Sequence, residues 1–336
     1  MKILVTGANG FLGSALIRRL VLQGHEVCAM VQRVGENPDL QSPNIIEIKG
    51  DVRNKESLAK AMQGVHQVYH LAALATDWAA DPHDFYSINA IGTANVLEAA
   101  RNAGVKRIVH VSTAGVIGPP DPEDIQPVDE DHIRSIGFFL DYEASKAIAE
   151  NRVLRYVLQG MDIVIVSPTR IYGPGLLRRK NGYLILINSY LRRRFVFFPG
   201  IKTPIANFVH VDDVVEGLVL AMEHGRSGES YLIGGSNVTF PQLFETLAKV
   251  TGKKRTTIPI PPWVMGLVAR ISGLVSLLTG NPPLLTMTYL RRARFSWPVS
   301  CNKAFRELGY SPMDYEFAIG KTVGWLEEER KQGRIR

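Results

Sequence analysis

Eight residues near the start of the chain, Thr6-Gly7-Ala8-Asn9-Gly10-Phe11-Leu12-Gly13, restrict the fold more than any other stretch. They follow a short apolar run, Lys2 to Thr6, that reads as a buried strand, and they open a helical pattern continuing to Gln23. Glycines at such a junction let the chain turn tightly, let main-chain N–H groups approach an anion, and let the helix pack close to the sheet. The helix N-terminus adds a preference for negative charge. The spacing of Gly7, Gly10 and Gly13 differs by one residue from G-x-G-x-x-G. A glycine triplet alone is weak; placed between a strand and a helix at the head of a βαβ series, it is strong. Gly7, Asn9, Gly10, Phe11, Leu12 and Gly13 are therefore expected around a pyrophosphate.

The alternation continues. Glu26 to Val31, Ile45 to Lys49, Gln67 to Leu71, Arg107 to Ser112 and Asp162 to Ser167 read as strands. Helical patterns separate most of them: Lys55 to Gln63, Asp84 to Asn102 and Asp141 to Leu158, the last with Asp141 as N-cap. This order predicts an α/β fold with a doubly wound parallel sheet, and the continuous run Ile163-Val164-Ile165-Val166 suits a strand covered on both faces. Val211 to Glu223 reads as a helix and Ser230 to Ile233 as a strand, both returning to that sheet. A smaller C-terminal substrate lobe is expected to take 176–202 and 236–336, leaving 1–175 and 203–235 as the nucleotide-binding core; a basic turn, Arg178-Arg179-Lys180, falls in the lobe.

Composition excludes several classes. With two cysteines, Cys28 and Cys301, in unrelated settings, and eight histidines without His-Glu-x-x-His spacing, neither a disulfide framework nor a metal centre is predicted. The net charge of +7 over 336 residues is modest and suits an anionic cofactor; no nucleic-acid partner is expected. Because Lys2 already begins a strand, a signal peptide is not expected, and the chain is read as cytoplasmic.

Candidate chemistry centres on Tyr142-Glu143-Ala144-Ser145-Lys146. Tyr142 and Lys146, four apart on a helix, share one face. An ammonium beside a phenol favours the phenolate, so Lys146 is expected to lower the Tyr142 pKa from its usual value near about 10. A second choice is written at the end of the second strand, Met30-Val31-Gln32-Arg33. No carboxylate stands there to hold the ribose hydroxyls of NAD, and Arg33 could pair with the 2′-phosphate of NADP. The alternative is a solvated loop arginine. NADP(H) is the expected cofactor, with NAD(H) second.

Together these residues resemble the extended short-chain dehydrogenase/reductases, the NAD-dependent epimerase/dehydratase family with its Rossmann core. Further matches run along the chain: Asp51-Val52, His70-Leu71-Ala72-Ala73, Asn89 with Gly92-Thr93, Val111-Ser112-Thr113-Ala114-Gly115, Pro168-Thr169 and Phe208-Val209-His210-Val211-Asp212-Asp213. The resemblance implies that Asp51 and Val52 contact the adenine and that Leu71, Ala72 and Ala73 line the nicotinamide side. It places Asn89, Ser112, Pro168 and Thr169 along the cofactor too. Lys146 would hold the nicotinamide ribose, and Thr113 would match the catalytic Ser/Thr beside Tyr142. Without the family, Ser112 and Thr113 could equally be strand-end hydroxyls satisfying the backbone. The resemblance also implies a homodimer.

Departures from the family narrow the reaction. Sugar dehydratases carry Asp-Glu directly after the catalytic Thr; Ala114-Gly115 offer no proton donor or acceptor. Nucleotide-sugar epimerases typically carry an Arg two residues before the aromatic of the Phe-Val-His-Val segment, and Ala206-Asn207-Phe208 lacks it. Arg170 reads equally as functional or as packing its stem between lobes. The chain looks closest to dihydroflavonol 4-reductases, 3β-hydroxysteroid dehydrogenases and hopanoid-associated epimerase-like proteins. Carbonyl reduction or alcohol oxidation of a largely apolar substrate is expected. A sugar epimerase is the alternative, and a non-catalytic dinucleotide sensor ranks below it. Trp263 to Leu278, apolar on most sides with one charge at Arg270, is open to three readings: burial in the lobe, a lid over an apolar substrate, or peripheral membrane contact.

Overall fold

The computed structural model describes residues 1–175, 181–200 and 204–335. The first half alternates as β1 (Lys2–Thr6), α1 (Phe11–Leu22), β2 (Glu26–Val31), β3 (Ile45–Lys49), α2 (Lys55–Ala61), β4 (Gln67–His70), α3 (His83–Phe85), α4 (Gly92–Asn102), β5 (Arg107–Val111), α5 (Ala114–Ile117), α6 (Asp141–Leu158) and β6 (Ile163–Pro168). Next come β7 (Arg170–Tyr172), α7 (Gly182–Arg192), β8 (Phe195–Pro199), β9 (Ala206–His210), α8 (Val211–His224) and β10 (Ser230–Ile233). The chain ends with β11 (Ser236–Val238), α9 (Phe240–Thr251), β12 (Thr256–Ile260), α10 (Pro262–Thr279), α11 (Met287–Arg292), α12 (Asn302–Leu308) and α13 (Tyr315–Lys331).

Seven parallel strands form the central sheet in the order β10-β6-β5-β4-β1-β2-β3. The chain winds one way from β1 to β3 and the other way from β4 onward, so the switch point lies between β1 and β4. In such sheets ligands gather beyond the strand ends at that point. Separate apolar clusters cover the two faces, one around Leu16, Leu20, Val214 and Leu218, the other around Leu58, Met62, Val96 and Leu97. Ser230–Ile233 pairs with β6 at the sheet edge, as its pattern predicted. Two small sheets, β11-β9-β7 and β12-β8, lie outside, with a third core of Tyr183, Ile187, Leu243 and Ile319. The expected junctions at 176 and 203 and the basic turn Arg178-Arg179-Lys180 lie outside the described residues.

Three local expectations are corrected. Asp141 is the first residue of α6 and Leu140 precedes it as the cap; the Asp141 carboxylate instead accepts from the Tyr86 hydroxyl at 2.9 Å. The single helix expected over Asp84 to Asn102 is interrupted by a π-helical segment, Tyr86–Ile91, which carries the buried Asn89. Such segments re-aim side chains at functional sites. Simple burial fails for the apolar stretch within α10: only Met265, Ala269 and Ser276 are buried. That narrow stripe rests on Leu290 of α11, while Trp263 (73 %), Leu274 (62 %), Leu277 (84 %) and Leu278 (87 %) stand exposed.

Candidate active site

The glycine loop is shaped by contact with main chain. Gly7 adopts φ +72°, and a Cβ there would lie 2.8 Å from the Ala72 nitrogen; a Cβ on Gly13 would lie 2.3 Å from the Gly7 carbonyl oxygen. No side chain could be added at either position without moving backbone. Gly10 caps α1 without a side-chain hydrogen bond, which leaves the first-turn N–H groups for an anion. A dinucleotide pyrophosphate therefore fits this cradle.

A chain of hydroxyls and imidazole fixes the loop to the next strand. The Ala72 N–H donates to Thr6 Oγ1 at 3.1 Å, and because Thr93 must donate to the Asn89 carbonyl, His70 carries its proton on Nε2 and accepts from the Thr6 hydroxyl at Nδ1, 2.8 Å away. His70 Nε2 then donates to Thr93 Oγ1 at 3.0 Å, and Thr93 donates to the Asn89 carbonyl at 2.6 Å. Neutral His70 is required throughout; burial, aided by the charge of Lys146, pushes its pKa down to about 3. The Asn89 amide carries the connection onward. It accepts from the Leu74 N–H at 2.7 Å and donates to Ser145 Oγ at 2.9 Å, and Ser145 donates to the Tyr142 carbonyl at 2.8 Å. Asn89 thus ties α6 to the loop after β4, and its side-chain amide is spent on Leu74 and Ser145 rather than left free for the cofactor.

At the end of β5, the Thr113 hydroxyl accepts from the Gly115 N–H at 3.1 Å and lies close enough to the Tyr142 phenol to favour its ionised form. Burial pushes Tyr142 up to about 12; the nearby Thr113 hydroxyl and the charge of Arg292 act against it. Lys146 is buried, and its Nζ donates to His110 Nε2 at 3.3 Å. Burial brings Lys146 down to about 8, opposed by Glu150. The expected lowering of Tyr142 by Lys146 is therefore not found in this state: the ammonium turns toward His110 and Glu150, and desolvation dominates the phenol.

Other candidates are placed less directly. The Ser112 hydroxyl donates to Glu150 beneath the site, and the Thr169 hydroxyl donates to Asn207 Oδ1 at 2.7 Å, so neither side chain is left free for a ligand. Pro168 ends β6, and Leu71, Ala72 and Ala73 follow β4 half-buried at the switch point. The Val52 side chain is buried against Gly92, where a Cβ would lie 2.5 Å from it. Asp51 is gripped by Arg53 through Nε at 3.0 Å and Nη2 at 2.7 Å, which lowers its pKa, and Gln32 reaches it at 3.5 Å. Arg33 is exposed and pairs with Glu36 at 3.1 Å. Near the end of β2, therefore, Arg33 and Arg53 are each paired with a carboxylate, Glu36 and Asp51.

Sequence reasoning missed the residues beside Tyr142. Buried Glu143 pairs with Arg134 at 3.2 Å and with Arg292 of α11 at 3.0 Å. Arg170, which the sequence left open between a functional role and packing its stem between lobes, lies on β7 with its guanidinium 5.8 Å from the Phe208 ring centroid. Among the described residues no clustered metal ligands are found.

A family model described as "NAD dependent epimerase/dehydratase family" matches residues 3–234. The chain belongs to that family. Sterol demethylase protein B of Methylococcus capsulatus is 32% identical over 98% of this chain and 99% of its own length. The 4-hydroxy-2-methyl-3-oxo-4-farnesyl-3,4-dihydroquinoline-1-oxide ketoreductase of Stigmatella aurantiaca is 33% identical over 93% of this chain and 92% of its own. Among solved structures, UDP-glucuronic acid 4-epimerase from Bacillus cereus in complex with UDP-glucuronic acid and NAD superposes with TM-score 0.77 at 25% identity, covering 98% of this chain and 99% of that one. As an epimerase/dehydratase-family member with NAD-dependent relatives, the chain is an oxidoreductase, and the glycine cradle is where the family's dinucleotide fits.

Proposed function

We propose that the protein is an NADP(H)-dependent carbonyl reductase or alcohol dehydrogenase, cytoplasmic, acting on a largely apolar hydroxy or keto substrate. One observation carries this reading: the buried Tyr142 phenol, kept protonated by burial, lies close to the Thr113 hydroxyl at the carboxyl end of β5, with only Ala114-Gly115 following. A bound nicotinamide would supply or accept the hydride. Tyr142 gives its proton to the substrate oxygen in reduction and receives it in oxidation, Thr113 orients that oxygen, and Lys146 supplies positive charge from below. No second acid or base for dehydration follows Thr113. At the position of the epimerases' diphosphate arginine stands Ala206, and the adjacent buried Asn207 is spent on Thr169, Gly235 and Asn237. Exposed Arg33 after β2, able to exchange Glu36 for a 2′-phosphate, supports NADP over NAD.

The ketoreductase relative, whose named substrate carries a farnesyl chain, supports an apolar substrate for this chain as well. Exposed α10 rests on α11, which bears Tyr289 and Arg292 at the site, so we place α10 on a membrane surface from which an apolar substrate enters. Ile148, Leu154 and Leu158, exposed on α6, fit a homodimer through a helix pair.

The test is incubation of the purified protein with NADPH, or with NADH, and a panel of apolar ketones. Net oxidation of NADPH, faster than of NADH, is the expected result, and Tyr142→Phe should lower it by roughly 100-fold to 10,000-fold while NADPH still binds. Bound cofactor without net turnover would favour the epimerase; unchanged turnover in Tyr142→Phe would overturn the mechanism.

A further inference from the structure

Beside Tyr142 and Thr113 lies a carboxylate that the proposed chemistry does not use. Glu143 follows Tyr142 in α6 and is fully buried. Its Oε2 accepts from Arg134 Nη2 at 3.2 Å and from the Phe139 N–H at 3.0 Å, and its Oε1 stands 3.0 Å from Nε of Arg292 on α11. Enclosed in this way, it does not reach a substrate as acid or base. It does reach the Thr113 turn: a Cβ built on Gly115 would lie 3.1 Å from Glu143 Cγ, 3.4 Å from its Oε1 and 3.3 Å from Thr113 Oγ1. Glu143 thus fills the room beside Thr113 that a side chain at 115 would need. Arg134 binds both parts, donating to the Gly115 carbonyl at 2.6 Å as well as to Glu143.

Arg292 brings in the second lobe. Its guanidinium lies 5.3 Å from the Trp297 ring centroid, and Trp297 packs in one cluster with Ala114, the residue after Thr113. Just beyond α11, Phe295 meets Phe139 with ring centroids 5.1 Å apart. The α10–α11 pair buries little of itself: its own buried cluster is Met265, Ala269 and Leu290. Arg292 Nε and Glu143 Oε1 are both buried and neither makes a hydrogen bond, so the ion pair is held by charge and proximity, and its strength follows where α11 sits. Buried ion pairs add little net stability over well-packed apolar side chains, so stability alone does not account for this one.

We propose that Glu143 is a positioning residue: clasped by Arg292, it sets the Thr113 turn against Tyr142, so that the chemical step depends on α11 being seated. The hydroxyls of Thr113 and Tyr142 must address one substrate oxygen, and a misplacement of about 1 Å between such groups costs about 100-fold in rate. Arg134 ties Glu143 to the loop before α6; Arg292 ties it to the lobe. The seating of α11, on which α10 rests, therefore reaches the catalytic hydroxyls through one carboxylate. The inference rests on the reductase reading for what those hydroxyls do, and the experiment separates the two.

Arg292→Met, Arg292→Lys, Glu143→Gln and the double variant Glu143→Gln with Arg292→Met are compared with wild type, using NADPH and the fastest ketone of the panel. Arg292→Met keeps an apolar stem against Trp297, so thermal melting should change little. Its kcat should nonetheless fall by roughly tenfold to 100-fold, with KM for ketone and for NADPH within about twofold of wild type. Arg292→Lys, which keeps the charge, should recover most of the kcat. In the double variant the loss should be no larger than in the worse single variant, because both substitutions break one clasp. Deuterium uptake over 112–118 reads the Thr113 turn without turnover and should rise in Arg292→Met. Such a rise in a protein that reduces no ketone keeps the clasp and sinks the reductase reading. Unchanged kcat and uptake in Arg292→Met, a loss confined to KM, or losses that multiply in the double variant overturn the proposal.

Discussion

The two sides of the site are built from different material. Around the glycine loop, contacts run between main chain and main chain or through short, neutral side chains: Gly13 against the Gly7 carbonyl, Thr6 to His70 to Thr93, Asn89 to Ser145. Toward α11, the contacts run between long charged side chains from separate segments of the chain, Arg134, Glu143 and Arg292. The first kind of construction tolerates almost no added atom and recognises something invariant. The second can be retuned one side chain at a time, as a substrate-selecting surface requires.

The sharpest way to break this contrast is to make one kind of change on both sides. Gly13→Val puts carbon within 2.3 Å of a carbonyl that cannot retreat. NADPH affinity should fall by roughly 100-fold or more, since displacing a binding loop by about 1 Å is enough for such a loss. On α10 a Cβ at Gly273 meets nothing within 4 Å, so Gly273→Ala should leave cofactor binding untouched and stabilise the helix by up to about 1 kcal/mol. Titration calorimetry and thermal melting check both. Equal cofactor affinities in the two variants would show that the loop is not the cradle.

A pH profile tests how the cofactor side reaches the chemistry. Tyr142, raised to about 12, keeps its proton across the working range, so in reduction it does not set the upper limb. Lys146, lowered to about 8 by burial, is charged below that value and neutral above it. Reductive kcat/KM should hold level to about pH 8 and then fall by about tenfold per unit as the ammonium is lost. In Lys146→Arg the fall should move to much higher pH, because a guanidinium does not titrate there. A fall that stays where it was takes the titration away from Lys146.

Legibility in the sequence follows the same division. Gly7, Gly10, Gly13, Tyr142 and Lys146 could be read because each group is local and its spacing is set by one turn or one helix. The seven-stranded sheet followed from apolar runs of the right length. Arg292 could not be read as a site residue, since its partner Glu143 lies in another helix and nothing in the spacing pairs them. The Tyr142 pKa went in the unexpected direction for a related reason. Shared helix faces bring Cα atoms together, but the long Lys146 side chain chose His110, a partner on β5 that only the tertiary fold supplies. The π-helical turn at Asn89 carried no periodic signal either; Asn89 itself was the clue, a buried amide whose partners lie on β4's loop and on α6.

The smallest effect belongs to α10, whose apolar composition left burial, a lid and membrane contact open and which the fold does not cover. Its 18 residues span about 27 Å at the α-helical rise of about 1.5 Å, short of the roughly 30 Å hydrocarbon core, and its Met265-Ala269-Ser276 stripe is already taken up inside the protein. It is shaped to lie along an interface with Trp263, Leu274, Leu277 and Leu278 facing outward, flanked by Arg270, Arg291 and the Lys253-Lys254-Arg255 run. Co-sedimentation with phosphatidylglycerol vesicles should show binding that weakens as salt is raised. Trp263→Glu should reduce it by about fivefold to tenfold, the scale of removing one large apolar side chain from an interface and adding a like charge to the lipid. Activity on a short water-soluble ketone should not change. Vesicles that sediment neither form would leave the exposed face without a membrane, and the lid over an apolar substrate would become the better account of α10.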